Sequence, residues 1–151
     1  MRSVSWAQGD SGGVAIATIE LETPSRVTHL AFRNRFTSQL SIFAHFGHGE
    51  SDSGVAPSPS HLKETSPLMR SPHAQDDALS CHCISIFSPG IVHQLLLRAS
   101  QPSPRFSCCS LPRLEHLVVL NDPNATDALA LKLVRLKRLH GSTTGTEQPV
   151  A

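Results

Sequence analysis

The stretch from Val14 to Phe46 reads as three short strands in succession, with apolar residues recurring at every second position along the third, and this constrains the fold more than any other feature of the chain. Phe36, Leu40, Ile42, Ala44 and Phe46 fall on one side of an extended backbone, and Thr37, Gln39, Ser41 and His45 largely on the other. A helix would scatter these residues around its circumference; a sheet buries one set and wets the other. The stretch divides into three expected strands, Val14 to Glu22, Arg26 to Arg33 and Phe36 to Phe46. Thr23-Pro24-Ser25 and Asn34-Arg35 are read as the breaks between them. An antiparallel sandwich, rather than a catalytic α/β scaffold, is the starting expectation.

Strand signals return after residue 80. In Ser80 to Phe87, Ile84 and Ile86 share one face, and Cys81, Cys83, Ser85 and Phe87 the other. Ser88-Pro89-Gly90 is a turn on composition. Ile91 to Arg98 is almost continuously apolar and reads as a central strand packed on both faces. Gln101-Pro102-Ser103-Pro104 interrupts it, and Arg105 to Leu111 and Leu114 to Leu120 supply two further strands. With sandwich strands in 12–46 and 80–121, the 151 residues suit a single, mainly β domain, an antiparallel β-sandwich or jelly roll. Residues 47–79 differ. They hold Pro57, Pro59, Pro67, Pro72 and many serines, too little apolar surface to offset ordering entropy, and are expected to form a long mobile loop.

Beyond Asn121-Asp122-Pro123 the period changes to that of a helix, expected over 125–140. Leu129, Leu133, Leu136 and Leu139, with Val134, fall on one side. Asn124 or Thr126 caps the start, Asp127 suits the positive end of the dipole, and Arg138 and His140 suit the negative end. Gly141 is the expected stop, followed by a frayed tail over 142–151. The leucines are expected to dock on the sheet. That leaves Lys132, Arg135, Lys137 and Arg138 as a basic ridge in solvent, suited to an acidic protein surface or a partner helix.

The chemistry-bearing motifs point away from catalysis. Gly9-Asp10-Ser11-Gly12-Gly13 looks like the nucleophile segment of trypsin-like proteases, but that chemistry needs a histidine and a carboxylate well upstream, and no histidine precedes Gly9. A Gly-rich loop ahead of the first strand is the simpler reading. Cys81-His82-Cys83, with His93, Cys108 and Cys109, fits accepted zinc-ligand spacings poorly, and buried free thiols explain it better. No Gly-rich phosphate loop joins a strand to a helix. The expectation is no cofactor, no metal and no enzyme activity. A formal net charge of +1 argues against broad binding to nucleic acid or to an anionic membrane. Met1 to Asp10 carries no apolar signal core, so secretion is not expected; residence in the cytoplasm or nucleus is.

Three blocks of sequence, taken in order, resemble the nicolin family, accessory subunits associated with the tubulin polyglutamylase complex. The first is Val14-Ala15-Ile16-Ala17-Thr18-Ile19-Glu20 before Thr23-Pro24-Ser25, with Leu30-Ala31-Phe32-Arg33-Asn34, Phe36-Thr37 and Leu40-Ser41-Ile42. The second is Leu68-Met69 with Ser71-Pro72-His73 and Asp76-Asp77. The third is Leu95-Leu96-Leu97-Arg98, then Gln101-Pro102-Ser103-Pro104 and Leu114-Glu115-His116-Leu117. The chain departs from the family pattern at Arg35, where the family tends to an aromatic residue. The resemblance implies a discoidin-like or jelly-roll sandwich and a non-catalytic scaffold or adaptor role. Its implied partners are the other subunits of a tubulin-modifying complex, and tubulin itself, near microtubules or cilia. The alternatives are a sandwich that binds a carbohydrate or lipid through its end loops, disfavoured by few aromatics, and a shortened, poorly folded gene product.

Overall fold

Alternating burial drives the chain into two stacked sheets closed on one side by a helix. The computed structural model describes residues 3–9, 13–46, 59–65, 67–69, 79–103 and 112–144. Among these residues the strands are β1 (Ser3–Gln8), β2 (Val14–Ser25), β3 (His29–Arg35), β4 (Gln39–Phe46), β5 (Ser60–Glu64), β6 (Cys81–Ser85), β7 (Val92–Ser100) and β8 (Arg113–Leu120). The helix α1 spans Asp127–Thr144. A five-stranded sheet has the order β1-β2-β7-β4-β5, and a three-stranded sheet the order β6-β3-β8. Every pairing is antiparallel. The expected β-sandwich with a C-terminal helix is the fold observed.

The core lies between the sheets. Ala17, Ile19, Leu40, Ile42, Ala44, Leu95, Leu97 and Ala99 of the larger sheet meet Leu30, Phe32, Leu114 and Leu117 of the smaller. On β3 the alternate residue Ala31 points out of the sandwich, where it joins Cys83, Val118, Leu120 and the helix residues Ala130 and Val134. The smaller sheet is therefore apolar on both faces in its middle, and α1 covers the outer one.

Several local expectations are corrected. β2 does not end at Glu22 but runs through Thr23-Pro24 to Ser25, and its pairing with β7 shifts between Glu20 and Ser25. Pro24 lies in that gap, where its missing N–H leaves no ladder bond unmade. Asn34-Arg35 belongs to β3, and the reversal into β4 comes one residue later. There the fully buried Asn34 accepts a hydrogen bond from the Thr37 N–H (2.9 Å) and donates to the Thr37 carbonyl (2.8 Å). Phe36 takes φ 61° in the same turn.

Part of 47–79 is ordered structure rather than loop. β5 pairs with β4 from Ser41↔Glu64 to Ala44↔Ser60. The Thr65 hydroxyl bonds the Leu40 backbone, and Leu68 and Met69 are buried. Ladder bonds to a sheet edge supply an ordering force that hydrophobic content does not record. Most of the remainder of the segment, like the whole of the strand expected over Arg105 to Leu111, lies outside the described residues. β7 is central as expected, yet apolar burial is one-sided: Val92, Leu95, Leu97 and Ala99 are buried, while Leu96 is half-buried and Ile91 exposed. α1 continues through Gly141 to Thr144, so the expected stop does not operate and residues 142–144 are helical rather than tail.

β1 escaped the sequence reading because its alternation rests on little more than Val4 and Trp6. It pairs with β2 from Ser3↔Glu20 to Gln8↔Ala15.

Candidate functional site

The helical side of the molecule carries the residues expected to meet a partner. Thr126 caps α1: its hydroxyl accepts the Leu129 N–H (3.1 Å) and its carbonyl the Ala130 N–H (3.0 Å). Asp127, in the first turn, reaches the thiol of Cys83 on β6. Burial, then the charge and hydrogen bond of that carboxylate, push the Cys83 pKa up to about 11. The helix is thus anchored at its start over β6, and it seats Ala130 and Val134 on Ala31 and Val118.

That seating turns the leucine stripe away from its expected position. Leu129, Leu136 and Leu139 are exposed, Leu139 by 64%. The surface under the helix is formed by Ala31, Cys83, Val118 and Leu120, and Ala130 allows a close approach that a leucine would hold off. Ala130 and Val134, four residues apart, form the buried flank; Lys137, three residues on, stays exposed as expected, but its side chain turns back towards the sheet. Its ammonium donates to the Leu117 carbonyl at 2.6 Å, and burial lowers its pKa. Lys132 and Arg135 are exposed as expected, on the same outward side as Leu129, Leu136 and Leu139. Arg138 is also exposed, but it lies on the flank nearer β8, where its charge acts on His116.

Beside Lys137 and Arg138 of α1, on the same outer sheet face, lies a cluster that sequence reasoning missed. The β3–β8 register sets Arg33 opposite Glu115 and Arg35 opposite Arg113. Glu115 Oε1 lies 3.7 Å from Arg33 Nη1, and Oε2 lies 3.4 Å from both Arg35 Nη1 and Arg113 Nη2. One carboxylate thus serves three guanidinium groups. His116, next along β8, sits at φ 54° where the register shifts. Burial lowers its pKa first; Glu115 opposes this, and Arg33, Arg138 and Lys137 reinforce it. The only hint in sequence was spacing: Arg33 and Arg35, and Arg113 and Glu115, each lie two apart and so share a face.

The other motifs do not assemble chemistry among the described residues. Ser11 lies outside them. Gly13, at φ +77°, has a structural duty: a Cβ there would fall 2.2 Å from the Gln101 carbonyl oxygen, and the Gly13 carbonyl accepts the Gln101 N–H. No three of His, Cys, Asp and Glu converge as metal ligands among the described residues, and Cys108 and Cys109 lie outside them. A cavity of about 220 Å³ is lined by Leu21, Glu22, Thr23, Ser25, Val119 and Asn121. A second, of about 160 Å³, opens on the outer face of the larger sheet between Ile16, Phe43, Leu96 and Arg98. Neither lining pairs a nucleophile with a base, and both fall below the size usual for ligand pockets, roughly 300–1,000 Å³.

A scan of protein-family models and a search of curated proteins return no match. Solved structures do match, on the arrangement of strands. The sandwich resembles that of XRCC1. A crystal structure of reduced XRCC1 bound to the DNA polymerase beta catalytic domain shares 16% identity over 74% of this chain and 75% of that one, with a TM-score of 0.56. The solution structure of the N-terminal domain of XRCC1, a single-strand break repair protein, shares 14% identity over 72% and 73%, with a TM-score of 0.55. At such identities the XRCC1 likeness is one of fold.

Proposed function

We propose that this chain is a non-catalytic adaptor that binds other proteins, as a subunit of a tubulin-modifying, polyglutamylase-type assembly. The observation that carries the adaptor reading is the outward face of α1. A helix held to the sheet by Ala130 and Val134 leaves Leu129, Leu136 and Leu139 in solvent beside the cations Lys132 and Arg135. Exposed leucines at helical spacing cost hydration free energy in the free protein and regain it when covered. The two cations suit a partner with acidic flanks. The tubulin-modifying context follows the resemblance to the nicolin family, and places the chain at microtubules in the cytoplasm or in the nucleus. The XRCC1 comparison lends support of a general kind, because there a sandwich of this fold is bound to the catalytic domain of an enzyme.

Affinity capture of the tagged chain from cells, followed by mass spectrometry, tests the reading. The wild type is expected to recover ligase subunits and tubulin. A Lys132→Glu/Arg135→Glu/Leu136→Ser variant, which spares Lys137 and the packed flank, is expected to lose them with its thermal transition intact. Unchanged recovery by the variant rejects the helix face, and a wild-type capture lacking any tubulin-modifying enzyme rejects the assembly.

A further inference from the structure

We propose that the arginine cluster on the smaller sheet, Arg33, Arg35 and Arg113 bordered by Lys137 and Arg138, docks a carboxylate-rich polypeptide segment. In the free protein Glu115 occupies the position of one incoming carboxylate. This rests on the protein-docking reading only in that the ligand is a polypeptide; the surface is a different one.

Charge imbalance is the first ground. Three guanidinium groups surround Glu115, and Lys137 and Arg138 add two charges felt at the neighbouring His116; they belong to a chain whose formal net charge is only +1, so positive charge is concentrated on this face. Geometry is the second. Separations of 3.4–3.7 Å are longer than the roughly 2.7–2.9 Å of a tight charge-assisted bond, so a single carboxylate, shared three ways, leaves guanidinium donors unspent. Arg35 Nε is enclosed without a hydrogen-bond partner among the described residues. Access is the third: the Arg35 and Arg113 side chains are 38% and 44% exposed.

The spacing suits an extended peptide. Arg33 and Arg35 are two apart on one strand face, a separation of about 7 Å, which is also the spacing of alternate side chains in an extended acidic segment lying alongside. A formal net charge of +1 gives the chain little of the broad positive field that binding to a nucleic acid draws on, so the observations favour protein over nucleic acid.

Fluorescence anisotropy with a labelled deca-glutamate peptide and the full chain tests the assignment, with an oligothymidylate of equal length alongside. The wild type should bind the peptide, and more weakly as salt rises from about 50 to 200 mM. Arg35→Glu/Arg113→Glu should weaken binding at least about tenfold. Arg98→Glu, on the outer face of the opposite sheet, should change it less than about twofold, because screened charges on the far side of the sandwich contribute little. Glu115→Gln should lower Tm, since three like charges lose their counter-ion, yet tighten binding several-fold; misfolding cannot produce that pair of effects. No peptide binding by the wild type, or full binding by Arg35→Glu/Arg113→Glu, overturns the inference. Tighter binding of the oligothymidylate overturns it in favour of nucleic acid. Failure here with cellular capture preserved removes the arginine surface alone and leaves the adaptor reading standing.

Discussion

Asn34 shows how one side chain can set the path of a sandwich. Its amide satisfies both polar groups of the Thr37 backbone, in a turn where Phe36, two residues on, holds a positive φ that bulky side chains seldom adopt. Replacing it with alanine strands a buried N–H and a buried carbonyl together, so Asn34→Ala should cost about 2–3 kcal/mol in urea unfolding, a large share of the stability of a small domain. Sequence pattern marks Asn34-Arg35 as a break because Asn is a turn former. The inference of a nearby reversal is sound, but the residue acts from inside the strand, through its side chain rather than its backbone. A single-sequence pattern does not separate those two roles. Arg33, Arg35 and Arg113 were hidden for a related reason, since their meeting depends on a register that only the paired strands define.

α1 presents a similar lesson for an element. Its existence and approximate start were legible from periodicity, and of the two candidate caps, Asn124 and Thr126, it is Thr126 that accepts the Leu129 N–H. Its rotation was not legible, because leucine spacing predicts a docked stripe, whereas the contact is made by Ala130 and Val134 against Ala31, Cys83, Val118 and Leu120. The two readings make opposite forecasts. Leu129→Ala should change stability by no more than about 0.5 kcal/mol, as expected of an exposed position. Ala130→Leu should destabilise by about 1–3 kcal/mol, as overpacking does, and thermal unfolding of the pair settles which flank is docked. β5 is a complementary case. Its polar, Pro-flanked sequence reads as loop, and it is ordered by the edge of β4 rather than by its own hydrophobicity.

Over the whole molecule the stacking of two sheets was readable, because apolar burial at every second position recurs in β2 and β7, and extended apolar runs mark β3, β4 and β8. The division into five strands and three was not, because it depends on which distant segments pair. Overall stability should also respond to pH through the helix–sheet junction. The pKa of His116 is lowered in the fold, chiefly by burial, so the unfolded chain binds its proton more readily. Stability is therefore fully present above the ordinary value near 6.5 and is lost as pH falls through it towards the folded value. Tm should decline across that interval, and His116→Asn, which tolerates the positive φ, should flatten the decline.

The position of β7 has a consequence for biosynthesis. β2 and β4 are both made within the first 46 residues, yet they never touch; the strand that joins them is Val92–Ser100. At roughly 5–20 residues per second, a ribosome leaves Ile19, Leu40 and Ile42 waiting several seconds for Leu95 and Leu97. During that interval the nascent chain offers sticky half-sheets to its neighbours, and a chaperone that shields them would govern how much of the protein matures.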